Sequence, residues 1–235
     1  MNDCFEATLF DELTPLYPDT EPQTGSTLHV IAAASNTYAG VHILLSGLTP
    51  GKCVTFETTP PTRKTILTSE SQIAAERSLP DYRYKLFELL PLPVEANSGA
   101  VTRTEWTEPD VNPYVIRRAP FTIYDVLRPC TNVITAQGAV MALAFRCKVD
   151  TQQREVKKWE FVVSHNGISR KLTFEVEVFP TIVPEAGRSD HKYINWFNCK
   201  AIATYHHAPL FSEEWYHIFE QYLRLGKYGR QNMVL

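Results

Sequence analysis

The sequence predicts a mainly β protein, a β-sandwich of residues 1–184 followed by one βαβ unit. Short runs of β-branched and aromatic residues, separated by glycine- and proline-containing turns, are typical of a sandwich. No strong helical pattern precedes residue 190, whereas residues 193–235 read as a strand, a helix and a second strand. Because parallel strands need neighbours on both sides and apolar cover on both faces, we expect this last unit to begin an α/β domain.

Residues 1–60 divide into short candidate strands separated by turn signals. Pro50-Gly51 and Pro60-Pro61 mark two of the breaks, because proline is poorly tolerated inside central strands. The candidate strands are Phe5–Phe10, Thr27–Ala34, Gly40–Leu45 and Cys53–Glu57.

The middle of the chain gives weaker signals. Ile73–Leu79 could form a helical turn, and Tyr82–Leu90 is rich in aromatic and aliphatic residues. Pro91–Val94 is expected to run extended, because each proline restricts the residue before it. Residues 101–129 contain several prolines, so we expect loops and no central strand there.

The clearest strands come next. Ala139–Val149 is a strand run, and Trp159–Ser164 and Ile168–Phe179 flank His165-Asn166-Gly167. Asn-Gly supplies the positive φ angles of a tight hairpin turn. From Lys171 onward, polar and apolar residues alternate, which predicts one face on a core and the other in water.

A linker at residues 185–192 is expected to precede the βαβ unit, in which Tyr193–Asn198 is the first strand. Ser212 can cap a helix, and Glu213 and Glu214 would follow at the positive end of the helix dipole. Glycines offer a stop for the helix before a second apolar run at the chain end. One apolar helical face is predicted from Trp215, Ile218, Phe219, Tyr222 and Leu223.

Composition and charge argue against several classes of function. The formal net charge of −3 gives no broad basic field for nucleic acid or anionic lipid. No signal-peptide pattern opens the chain, and no run approaches the ~20 apolar residues that span a bilayer. The five cysteines are scattered without CxxC spacing, which favours free thiols in a reducing cytoplasm, although export by another route stays open. We expect no cofactor.

Four stretches together resemble glycoside hydrolase family 123-like proteins. They are VEANSGA, NPYVIRRAPFTIYDVLRP, NWFNCKAIATYHHAPLFSEEWYHIFEQYL and GRQNMVL, and the resemblance is strongest over residues 112–129 and 193–235. Members of that family have an N-terminal β-sandwich followed by a (β/α)8 barrel. The resemblance therefore implies that residues 193–235 are the truncated βαβ start of such a barrel.

The resemblance also implies β-N-acetylgalactosaminidase-type chemistry, retaining and substrate-assisted, with the sugar's acetamido oxygen as nucleophile. An adjacent Asp-Glu pair serves that reaction in the family, and it lies farther along the barrel than this sequence extends. Glu213 and Glu214 are better explained as helix-start carboxylates. We therefore expect no catalytic residue in this chain and no activity by the chain alone, while its parent family is a family of enzymes.

Candidate sugar-binding residues follow from the barrel architecture, because active sites of such barrels lie at the carboxyl ends of the strands. The first strand would then present its end and the loop Cys199–Leu210 to the sugar. The residues with suitable chemistry are Trp196, Asn198, Tyr205, His206 and His207. The structural alternatives are a core position for Trp196 and a polar loop for the histidines. No metal site is expected, because the two histidines have no acidic or cysteine cluster with them.

Two further groups of residues each have a functional and a structural interpretation. Trp106 and Tyr114 could form a stacking platform for carbohydrate or anchor a loop. A charged set could clamp a ligand or, as we favour, form ion pairs along a loop-rich edge. This set is Arg117, Arg118, Asp125 and Arg128.

Three functional hypotheses are compatible with the sequence. The preferred one is an accessory domain that braces the barrel of a glycoside hydrolase acting on N-acetylhexosaminides. Its partners would be a glycan substrate and the missing barrel, with neither nucleic acid nor membrane involved. The alternative is a freestanding carbohydrate-binding or protein-interaction sandwich. In the third, this chain is active by pairing with a separate barrel chain.

Overall fold

A computed structural model of the chain divides it into two compact units, Met1–Thr181 and Ile182–Leu235. The predicted boundaries at residues 184 and 192 stay predictions. The described residues are 4–59, 62–65, 84–95, 116–151, 153–185, 193–195, 198–231 and 233–234. The predicted helical turn at Ile73–Leu79 and the aromatic residues Trp106 and Tyr114 lie outside them, as does most of the predicted linker.

Strands dominate the first unit, and the mainly β prediction is confirmed. In the described residues up to 182, the strands are β1 (Glu6–Asp11), β2 (Leu28–Ser35), β3 (Thr37–Ser46), β4 (Cys53–Thr58), β5 (Thr62–Thr65), β6 (Tyr84–Val94), β7 (Phe121–Pro129), β8 (Val133–Thr135), β9 (Met141–Val149), β10 (Glu155–His165) and β11 (Ile168–Ile182). The four strands predicted in residues 1–60 correspond to β1–β4, with bounds that differ by at most three residues.

These strands form two sheets that share one core. The first has the order β1-β3-β9-β6-β7 and the second β2-β11-β10-β4-β8, with β5 beside β10. Buried side chains from both sheets make one continuous cluster, in which the ring centroids of Phe145 on β9 and Phe161 on β10 lie 4.7 Å apart. Two sheets joined face to face by such a core form a β-sandwich.

The hairpin of β10 and β11 is present as predicted. Asn166 and Gly167 connect the strands with φ angles of 48° and 79°, which a two-residue primed turn requires. Along β11, Leu172, Phe174 and Val176 are buried, and the residues between them are not. The period of two therefore decides which face of β11 meets the core.

Prolines in β6 and β7 lie where the first sheet can tolerate them. Tyr84–Leu89 of β6 pairs with β9 on one side, and Phe87–Val94 pairs with β7 on the other, with a register shift between Leu90 and Pro91. Proline has no N–H to donate to a neighbouring strand. It is therefore tolerated in a segment that pairs with another strand on one side only. β7 is the last strand in the sheet order, which confirms that residues 101–129 supply no central strand among the residues described there.

The outer face of the first sheet is also buried. Leu16 forms a β-bridge with Tyr124 of the edge strand β7, and its side chain joins a buried cluster on this face with Leu44 and Leu89. The Tyr124 hydroxyl donates to the carbonyl oxygen of Val140 at 3.1 Å. The segment that follows β1 thus covers the first sheet and explains why β3 and β9 are apolar in successive positions.

The second unit contains the helices α1 (Cys199–His206) and α2 (Glu213–Tyr228) and the short strands β12 (Ile194–Asn195) and β13 (Met233–Val234). β12 and β13 pair in parallel, with Ile194 opposite Met233. A parallel pair with a helical connection is the predicted βαβ arrangement. The sequence prediction was wrong about the loop Cys199–Leu210, because most of it is helix α1.

Helix α2 begins as predicted, where the Ser212 hydroxyl accepts a hydrogen bond from the Trp215 amide at 3.2 Å. Its predicted apolar face is mostly covered, although Leu223 is exposed. The helix continues through Gly226 and ends at Tyr228, with Gly229 as its C-cap, and the left-handed position that follows is Arg230, with φ of 64°. No helix among the described residues is long and apolar enough to cross a membrane.

All five cysteines are free thiols. Burial raises the pKa of Cys130 to about 11 and that of Cys147 to about 12. Thiols with such pKa values stay protonated at neutral pH and are poor nucleophiles.

Candidate functional site

Trp215 fixes the geometry of the second unit. Its side chain is 2% exposed and stacks on Phe219, with ring centroids 4.8 Å apart and an interplanar angle of 14°. Its indole Nε1–H donates to the carbonyl oxygen of Cys199 at 3.3 Å. Ile202 and Ala203 of α1 belong to the same buried cluster. The indole therefore holds α1 against α2 by packing and by one hydrogen bond.

Asn198, predicted to end the first strand, instead caps helix α1. Its side-chain oxygen accepts a hydrogen bond from the Ala201 amide at 2.9 Å. Asparagine is a preferred residue at this position, because the first turn of a helix has unpaired N–H groups. The side chain is exposed, and its oxygen already has a protein partner.

The predicted residues Tyr205, His206 and His207 lie at the opposite end of α1. The Nε2 of His206 is 2.9 Å from the Tyr222 hydroxyl, which couples this end of α1 to α2. Tyr205 is 79% exposed, and its ring meets the His206 ring edge-on at 5.0 Å. His207 follows the helix with a left-handed φ of 54°.

The predicted sugar-binding residues therefore form two groups instead of one. Because a helix rises about 1.5 Å per residue, eight helical residues place Asn198 roughly 12 Å from His206 along the helix axis. A flexible loop could have brought them together, and α1 does not. Trp196 lies outside the described residues.

Phe211 and Tyr216 are two aromatic residues that sequence reasoning missed. They flank the N-terminal end of α2 and are 61% and 57% exposed. Phe211 has a left-handed φ of 66°, which is unusual for a bulky residue. The sequence contained a signal for this pair. The residue before a helix cap often packs on the residue four positions into the helix, an arrangement called a hydrophobic staple.

The charged set predicted in the first unit includes two arginines that form ion pairs. Arg117 binds Asp19 with both terminal nitrogens, at 2.8 and 2.6 Å, and lies over the Tyr17 ring at 4.4 Å. The Arg117 guanidinium lowers the pKa of the Asp19 carboxyl. Arg128 forms an ion pair with Glu88. Both arginines thus bind carboxylates outside the predicted set. The favoured interpretation as ion pairs therefore applies to these two arginines, with partners other than the predicted ones.

No cluster of three or more histidine, cysteine, aspartate or glutamate side chains suited to a metal ion occurs among the residues that the structure describes. Glu213 and Glu214 are exposed in the first turn of α2. Carboxylates there interact favourably with the helix dipole.

Comparison with solved structures gives a strong likeness to a glycoside hydrolase. A family 123 glycoside hydrolase from Clostridium perfringens, studied for glycolipid glycan hydrolysis, matches with a TM-score of 0.70 and 13% sequence identity. The match covers 98% of this chain and 38% of that chain. At this identity the likeness shows the fold, and this chain spans less than two fifths of the matched structure.

Two further matches have low TM-scores. The CooA pilin subunit of enterotoxigenic Escherichia coli has a TM-score of 0.36, with 8% identity over 76% of this chain and 99% of that chain. A PapD-like domain of human CEP192 has a TM-score of 0.27, with 9% identity over 74% of this chain and 99% of that chain. No protein-family model and no curated protein matches the sequence.

Proposed function

We propose that this chain supplies the N-terminal β-sandwich and the first βαβ unit of a glycoside hydrolase that acts on N-acetylhexosaminides. The observation that supports this proposal is the likeness to the family 123 glycoside hydrolase, at a TM-score of 0.70 over 98% of this chain. Both units lie within the matched length. The proposed cellular location is the cytoplasm.

The parallel pair of β12 and β13 supports a barrel beginning. The pair has only two residues in each strand, whereas parallel sheets are usually larger and covered on both faces. In the proposed enzyme, further βα units complete the sheet and carry the reactive acids. The sandwich then braces the barrel, and this chain alone is inactive.

The carboxyl end of β12 leads into α1, so residues that follow β12 would border the sugar site of the completed barrel. We assign glycan contact to the exposed group Tyr205 and His207, to His206, and to Asn198 through its amide hydrogens. Trp196 is assigned to the same site from its position after β12. A glycan substrate and the rest of the barrel are the proposed partners.

Hydrolysis of an aryl β-N-acetylgalactosaminide tests the proposal. The purified chain should release no aryl alcohol above background, whereas a polypeptide that continues into further βα units should do so. An aryl β-glucoside serves as the matched control, since it lacks the acetamido group that acts as nucleophile. Turnover by this chain alone, or none by the extended polypeptide, contradicts the proposal.

A further inference from the structure

The strongest unassigned feature is an exposed aromatic pair at the start of α2. Phe211 and Tyr216 have ring centroids 6.3 Å apart and an interplanar angle of 31°. Their rings are more than half exposed, although each is large and apolar. Together they form one aromatic surface, which we call the Phe211–Tyr216 platform.

The platform is supported rigidly from below. The buried Trp215 meets the Phe211 ring edge-on at 5.3 Å and the Tyr216 ring edge-on at 5.1 Å. Trp215 in turn stacks on Phe219 and is hydrogen-bonded to α1. The two exposed rings are therefore held in fixed positions before any ligand arrives, which lowers the entropy cost of binding.

The backbone at Phe211 is held in an unfavourable conformation. Its φ of 66° is costly for a residue with a bulky side chain, and glycine or asparagine would adopt it more easily. The turn is closed by the Ser212 amide, which donates to the Pro209 carbonyl oxygen at 3.0 Å. Strained positions of this kind concentrate at ligand-binding sites.

The position of the platform indicates the chemical class of ligand. Phe211 lies in the connection from the carboxyl end of β12 to α2, and Tyr216 lies in the first turns of α2. In α/β units this connection borders the ligand. Exposed aromatic faces suit the apolar face of a pyranose ring, whose hydroxyl groups remain in water.

We propose that the Phe211–Tyr216 platform is a sugar-stacking subsite that holds one pyranose ring of the glycan. This inference rests on the proposed function and adds two binding residues to it. The platform makes no covalent contact and moves no proton. Its role is to position a sugar unit beside the residues that follow β12.

A titration of the full chain with an N-acetylgalactosamine-terminated trisaccharide, followed by NMR, tests the inference. The double variant Phe211→Leu with Tyr216→Leu keeps apolar volume and removes both aromatic faces. We expect its Kd to rise about tenfold, equivalent to ~1.4 kcal/mol. Tyr228→Leu, which removes an exposed ring at the far end of α2, is the matched control and should leave the Kd unchanged.

Thermal unfolding of the same variants distinguishes a role of the two rings in binding from a purely structural role as a hydrophobic staple. A lowered Tm with an unchanged Kd overturns the inference and leaves the proposed function standing. Absence of trisaccharide binding to the wild-type chain at millimolar concentration also overturns the subsite. The proposed function is judged independently of both results, by hydrolysis with the extended polypeptide. Should the double variant not fold, each single variant is titrated instead, with the same criterion.

Discussion

The Thr49 amide donates a hydrogen bond to Nε2 of His165 at 2.9 Å, across 116 positions of sequence. The Nδ1 of the same ring is 3.1 Å from the carbonyl oxygen of Cys53. An amide N–H can only donate and a carbonyl can only accept, so the imidazole is neutral with its hydrogen on Nδ1. His165, which is 2% exposed, thereby ties the β10–β11 hairpin to the loop before β4.

Replacing His165 by Phe should destabilise the first unit by about 1–3 kcal/mol, because the Thr49 N–H and the Cys53 carbonyl lose their partner. Urea unfolding measures the change. Ser164→Ala is the matched control, since it removes an exposed hydrogen bond to Ser169 on the same hairpin and should stay within about 0.5 kcal/mol. Equal effects of the two substitutions would contradict the assigned role of His165.

His42 should make stability depend on pH. Burial lowers its pKa, an effect that Glu12 opposes and Arg146 reinforces, and its Nδ1 is buried with no hydrogen-bond partner among the described residues. Because the folded-state pKa lies below the ordinary value of 6.5, the unfolded chain binds the proton more readily. This contribution to stability is complete above pH 6.5 and declines as pH falls toward the folded-state pKa.

The measurement is the difference in unfolding free energy between about pH 7.5 and about pH 5.5, for the wild type and for His42→Gln. Subtracting the two cancels the titration of the carboxylates that both proteins share. We expect the wild type to lose more stability on acidification than the variant. Parallel pH profiles would show that His42 titrates alike in the folded and unfolded chains.

Glu155 and Lys157 form a buried ion pair on β10. The Lys157 Nζ lies 3.2 Å from Glu155 Oε1, and the two side chains are 5% and 3% exposed. Lys157→Met should cost about 3–5 kcal/mol, since it leaves a buried carboxylate unpaired. The double variant Glu155→Leu with Lys157→Met removes both charges and should recover most of that loss. Denaturant unfolding of the three proteins checks this, and a double variant less stable than Lys157→Met would refute it.

Asn198 has a capping role that can be separated from a glycan role. Asn198→Ala should destabilise by about 1 kcal/mol through loss of the helix cap, whereas Asn198→Asp keeps an acceptor for the Ala201 amide and should be nearly neutral. Asp lacks the amide hydrogens that could donate to a sugar hydroxyl. Thermal unfolding reports the cap, and trisaccharide titration reports the amide. Unchanged affinity in Asn198→Asp would remove Asn198 from the proposed sugar site.

Local patterns were sufficient for much of the fold. The hairpin at Asn166-Gly167 follows from two residues that tolerate positive φ, and the alternation along β11 follows from the period of a strand. The Ser212 cap and the apolar stripe of α2 are also predictable from the sequence, because each depends on residues within about two helical turns.

Helix α1 illustrates what the local pattern misses. Eight residues form a marginal helix in water, because helix nucleation is unfavourable and few hydrogen bonds follow it. The segment becomes helical because Ile202 and Ala203 pack against Trp215, whose indole also binds the Cys199 carbonyl. This packing separates Asn198 from His206 and changes the predicted site.

The sequence alone determined the elements with strong local patterns, such as the β10–β11 hairpin and helix α2, and the face of each that is buried. The tertiary structure decided the partners across long separations, such as Arg117 with Asp19, 98 positions apart, and Thr49 with His165. The physical reason is that backbone propensity and periodicity act between neighbours in sequence. Ion pairs and buried hydrogen bonds between distant positions depend on which surfaces the folded chain brings together.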